Sequence, residues 1–136
     1  MTLENLEKIG LLHHLERSET EFLQLIGKAK EFHTDSARNE LSIQSRFQLA
    51  YEASFALALA ALRWHGYRPS RKRYAAFQAL SHTVELGSEI ALLIKAHDLR
   101  NGIEYDAEPF DDNRFLEELI EVNDILLHRV LRLKES

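Results

Sequence analysis

Apolar residues recur along this chain at three- and four-residue spacing, and that period predicts helix in nearly every segment. Thr2 is placed to cap a first helix running to about Arg17. Ser18-Glu19-Thr20-Glu21 has the spacing of a capping box, so a second helix is expected from there to about His33. Thr34-Asp35-Ser36 is a break rich in N-cap residues, and a long helix is expected from about Ser36 to His65. Along it Ile43, Phe47, Ala50, Ser54, Leu57, Ala58 and Ala61 form one stripe, and Tyr51, Phe55, Leu59 and Leu62 form a second. Two stripes on one helix predict burial on most sides, at the centre of a bundle or in a dimer interface. Gly66 to Lys72 has the composition of a turn, and a shorter helix is expected from about Arg73 to Leu86, with Gly87 closing it in a left-handed conformation. Ser88 then caps a helix whose first turns are apolar at Ile90, Leu93 and Ile94. Asp106 to Asp112 is an acidic loop containing a proline, and Asp112 caps a last helix to about Leu133. That helix points Leu116, Leu119, Ile120, Asn123, Leu126, Leu127 and Val130 inward. No repeat or linker interrupts the pattern, which predicts an all-α bundle with antiparallel neighbours and short connections.

Composition narrows this only in part. With 136 residues, 45% hydrophobic and 29% charged, the chain is expected to form one soluble domain over residues 1–136. Its core spans about residues 18–133, with a helix at 2–17 as an extension. Cysteine is absent, which excludes disulfides and thiolate metal sites. The formal charge of −5 argues against a dedicated duplex-DNA binder but leaves room for local basic patches. The longest apolar run, Ala53 to Leu62, is too short to span a bilayer. Met1 to Leu6 lacks the basic and apolar regions of a secretory signal, so the cytoplasm is the expected location.

Three features carry candidate chemistry. The first is a helix face that changes character: after Ile90, Leu93 and Ile94 it continues through His97, Asn101 and Glu104, with Arg100 and Tyr105 beside it. Burying such groups unpaired costs roughly 1–3 kcal/mol each, so the face needs partners or a cavity. Arg100, Asn101, Glu104 and Tyr105 suit a phosphate or a partner chain, because a guanidinium offers a fixed fork of donors at any working pH. The competing structural role is an Arg100–Glu104 ion pair one turn apart, in the less favourable order for a helix. The second feature is a basic cluster, in which Arg63, Arg68, Arg71, Lys72 and Arg73 fall within eleven positions and Trp64, Tyr67 and Tyr74 are interleaved. Cations with aromatic faces suit single-stranded nucleic acid, and the competing role is a solvated turn whose aromatics join the core. The third is an acidic arm, Asp98 to Glu121, with nine acidic and two basic residues. It is either solvated surface or a face for a basic partner, including a second copy of the chain.

No metal site is expected. His13 and His14 diverge on a helix, His82 and Glu85 offer only two ligands, and no H-E-x-x-H is present. There is no glycine-rich phosphate loop and no serine-nucleophile motif, so no cofactor is assigned.

From about Ser18 to Leu133 the chain resembles a HEPN domain. The resemblance rests on the long apolar helix ending in Arg63-Trp64-His65-Gly66-Tyr67-Arg68 and the short helix Phe77-Gln78-Ala79-Leu80-Ser81-His82-Thr83. It rests also on the long helix ending in Arg100-Asn101, then Glu104-Tyr105-Asp106. It implies an up-and-down bundle of four to five helices that often dimerises. Many such proteins are metal-independent RNases, often toxins of toxin–antitoxin pairs, whose Arg, polar residue and later His meet across the dimer. Others are non-catalytic partners of small nucleotidyltransferases. Arg100 and Asn101 match the first two motif positions, while Tyr105 stands at one of the places of the histidine. A phenol with a reference pKa near 10 is a poor proton shuttle at neutral pH. Glu104 is a base only with a raised pKa, and His97, one turn before Asn101, is a substitute candidate. The expected function is therefore RNA or partner binding at Arg100, as a homodimer, without efficient catalysis. The alternatives are an active RNase toxin and the helical partner of a nucleotidyltransferase; an antitoxin partner belongs with the toxin reading.

Overall fold

The computed structural model describes residues 2–135. They form a mostly helical domain, in chain order α1 Leu3–Lys8, β1 Leu12–His14, α2 Glu19–Ser36, α3 Ile43–Trp64, β2 Tyr67–Pro69, α4 Tyr74–Gln78, α5 Leu80–Thr83, α6 Glu89–Asp106 and α7 Asn113–Leu133. Four long helices build the body, and β1 and β2 make a small antiparallel sheet. Among the described residues no helix is long and apolar enough to cross a membrane.

Helix α3 is the centre. It packs on α2, α7, α6 and the short helices, and its alanines Ala50, Ala53, Ala56, Ala58, Ala60 and Ala61 are all buried. Small side chains let neighbouring helices come close on several sides, which accounts for the double stripe. One polar pair crosses this core. Ser54 donates to Asn123 Oδ1 at 2.6 Å, and Asn123 donates to the Ala50 carbonyl at 2.8 Å, so α3 and α7 are registered without an unsatisfied group.

The starts of α2 and α7 follow the capping pattern. Ser18 accepts from the Glu21 amide and Asp112 accepts from the Phe115 amide. Three expectations are corrected. Ser36 does not begin the spine; α2 runs through it, and Ser42 caps α3 by accepting from Ser45. Arg46 explains the join, because its buried guanidinium binds the Ser36 carbonyl at 2.8 Å and Glu117 at 3.0 Å. Gly87 has no left-handed conformation; its amide instead donates to Glu89 Oε1 ahead of α6. The expected helix from Arg73 to Leu86 is two short ones, and it ends where Val84 turns extended.

The largest correction is at the N-terminus. No helix reaches Arg17. Helix α1 stops at Lys8, and Gly10 takes a φ of 83° that L side chains rarely adopt. The Gly10 amide bonds the Glu7 carbonyl and the Leu11 amide bonds the Leu6 carbonyl, which is the double closure of a Schellman motif, with Leu6 and Leu11 packed on the core. The chain then runs back as β1, pairing Leu12 with Pro69, His13 with Arg68 and His14 with Tyr67. Gly66, at φ 86°, makes the matching reversal after α3. Part of the expected turn at 66–72 is therefore a strand.

Candidate functional site: a basic groove beside His97

Helix α6 carries the polar face into contact with α3 and α4. Leu93 and Ala96 are buried, His97 is almost fully buried, Asn101 and Arg100 are half-buried, and Glu104 and Tyr105 are exposed. The gradient follows from α6 leaving the body near its C-terminal end. His97 sits among the rings of Phe77, Tyr74 and Tyr51, at centroid distances of 5.5, 5.7 and 6.1 Å. Its Nδ1 lies 3.0 Å from the Tyr51 hydroxyl and its Nε2 lies 3.3 Å from Asn101 Nδ2. With the Asn101 amide donating to Nε2, the ring proton sits on Nδ1 and is donated to the Tyr51 oxygen. Both ring nitrogens are thereby occupied within the protein.

Burial pushes the His97 imidazole below its ordinary value, and Arg100 and Arg73 add to this against Asp98. Burial likewise raises the Tyr51 phenol, opposed by Arg73 and Arg100. The consequence for stability has a definite sign. Below about pH 6.5 the unfolded chain protonates this histidine while the folded chain resists, so stability falls as pH drops and levels off below the folded-state pKa. His97→Gln is expected to lose that component. Urea midpoints measured between about pH 8 and pH 5 would show a flatter profile for the variant; identical profiles would remove His97 as the source.

Two guanidiniums flank the Tyr51 ring. Arg100 lies 5.4 Å from its centroid, and Arg73 lies 5.9 Å from it and 4.3 Å from that of Phe55. Arg73 is held by Glu52 at 2.9 Å. Arg100 is less engaged. Its Nη2 is 3.6 Å from Glu104, beyond good hydrogen-bond distance, and its Nε is buried without a hydrogen-bond partner.

The two candidate segments meet here. Arg71, Lys72, Arg73 and Tyr74 from one, and His97, Asp98, Arg100, Asn101 and Tyr105 from the other, line one open groove of about 630 Å³. Arg71 and Lys72 are exposed and have no ion pair among the described residues. Glu104 borders Arg100 without lining the groove.

Other expected site residues lie elsewhere. Arg63 is corrected outright, because it is buried and its guanidinium is spent on the fold. Nη1 donates to the Leu15 carbonyl at 2.9 Å, Nη2 donates to the Glu16 carbonyl, and Nε faces Glu21 at 3.2 Å. Of the interleaved aromatics, Tyr67 is buried and Trp64 packs on Phe22 under the Arg17 guanidinium, so only Tyr74 reaches the groove. Arg68 stays exposed, on β2. Tyr51 was expected only as core, and nothing in its helical spacing marks it as the support of His97. No cluster of three or more His, Asp or Glu side chains able to hold a metal occurs among the described residues. No known protein-family model matches the chain, and a search of curated proteins found no match.

Proposed function

We propose that the protein is a HEPN-like up-and-down bundle that binds single-stranded RNA in the groove beside His97, acts as a homodimer, and does not cleave RNA efficiently. One observation carries this: two segments far apart in the chain converge to place four cations, Arg71, Lys72, Arg73 and Arg100, with Tyr74 and the exposed Tyr105 around one groove. Cations for phosphate beside open aromatic faces for bases are what sequence-tolerant single-strand recognition needs. Arg100, whose Nη2 is held only loosely by Glu104 at 3.6 Å, supplies a guanidinium for one phosphate. Weak catalysis follows from His97, whose two ring nitrogens already serve Tyr51 and Asn101, and from Tyr105 at the shuttle position.

The test is fluorescence anisotropy with labelled single-stranded RNA in EDTA, wild type beside Arg100→Ala. The variant is expected to bind about tenfold more weakly, as for a lost charge-assisted contact, while RNA in both samples stays intact. Cleavage by wild type that the substitution abolishes would replace this reading with an RNase toxin. Absence of binding, with a small nucleotidyltransferase co-purifying, would replace it with that enzyme's helical partner subunit. Light scattering tests the dimer, and a monomer mass would remove it.

A further inference from the structure

The two-stranded sheet and the turns that flank it build a second groove beside the basic turn. It holds about 440 Å³ and is lined by Gly10, Leu11, His13 and Ser70 together with Arg71 and Lys72. Those last two residues also line the groove beside His97. Arg71 and Lys72 thus form a ridge that borders both grooves. Among the described residues no carboxylate lines the second groove. Its polar groups are the exposed His13 imidazole and the Ser70 hydroxyl, whose oxygen is buried without a hydrogen-bond partner. Arg68 stands directly across the sheet from His13, so their side chains share a face and a third unpaired cation flanks this end.

We infer that this second groove is a further subsite for single-stranded RNA, with the RNA backbone crossing the Arg71–Lys72 ridge and nucleotides seated on both sides. The inference rests on the RNA-binding reading of the first groove and extends it. Phosphate belongs on the ridge, because Arg71 and Lys72 have no carboxylate partner among the described residues. The second groove supplies the exposed His13 imidazole as a face for stacking, beside a Ser70 hydroxyl that makes no hydrogen bond within the protein. Its shape depends on the turn at Gly10, which brings the N-terminal segment back alongside Ser70; the Ser70 amide bonds the Leu11 carbonyl at 3.0 Å.

Anisotropy with labelled tetrauridylate and octauridylate separates the two grooves. Wild type is expected to bind the octamer more tightly. The double substitution His13→Ala with Ser70→Ala is expected to weaken the octamer about tenfold and leave the tetramer unchanged, while Arg100→Ala weakens both. Neither substituted side chain makes a hydrogen bond that the fold would lose, so an unchanged melting curve accompanies the variant. Wild-type affinity of the double variant for the octamer would overturn the second subsite and leave the first groove standing. Failure of wild type to bind either length would overturn both.

Discussion

Arg63→Ala is expected to cost about 3–4 kcal/mol of folding stability, which corresponds to a melting temperature lower by roughly 10 °C. The magnitude follows from what the guanidinium holds. It donates to the carbonyls of Leu15 and Glu16, where the chain leaves β1, reaches the Tyr67 carbonyl in β2 at 3.4 Å, and faces Glu21 at the start of α2. Truncation strands backbone acceptors in a buried place and opens a void at the last turn of α3. Arg63→Lys is expected to recover little, because one ammonium cannot reach acceptors arrayed around a planar fork. Arg68→Ala is the control: its side chain is exposed, and a change within about 0.5 kcal/mol is expected. Urea and thermal unfolding of the three variants checks this, and an Arg63→Ala protein as stable as wild type would refute it. The same side chain ties stability to the second groove, since it pins the β1–β2 sheet beside which His13 and Ser70 line that groove.

Arg63 also shows where one-dimensional inference stops. Five cations within eleven positions look like one basic surface. The helix period places Arg63 beside Leu59 and Leu62 on a helix buried on most sides, but only the returning N-terminal segment makes that end of α3 an interior. That return was written in one residue, Gly10, followed by the apolar Leu11. A glycine near the end of a helical run is a stop signal when a hydrophobic residue follows it, and here the continuing leucine period masked it. The strands themselves were out of reach, because three-residue strands show no measurable alternation and their partners lie more than fifty positions apart. Where caps were unambiguous the elements were legible: Ser18 and Asp112 start α2 and α7 where expected, and α3 is the buried spine that its two stripes described. At Thr34-Asp35-Ser36 three capping residues competed with a helix that simply continued. The groove falls between these cases. Both of its segments stood out by chemistry, but their meeting is a tertiary fact set by α4 packing on α6, and no spacing within either segment encodes it.

The double substitution Arg71→Ala with Lys72→Ala is expected to have the largest effect on RNA binding, and its signature is salt dependence. For single strands each phosphate neutralised contributes about 0.7 to the slope of log affinity against log salt, so loss of two contacts lowers the slope by roughly 1.4. Affinity in low salt is expected to fall by about ten- to a hundredfold. The other two cations predict smaller changes in slope. Arg73 already faces Glu52 at 2.9 Å and Arg100 has Glu104 at 3.6 Å, so bound phosphate would share charge that carboxylates already offset. Arg100→Ala should therefore lose affinity mainly through hydrogen-bond donors and keep most of the wild-type slope. Stability provides the internal check, because Arg71 and Lys72 are exposed and hold no part of the fold together. Anisotropy titrations across a salt series, with melting curves for the same samples, decide the matter. A slope and an affinity equal to wild type would mean that the ridge meets no phosphate, and the path joining the two grooves would go with it.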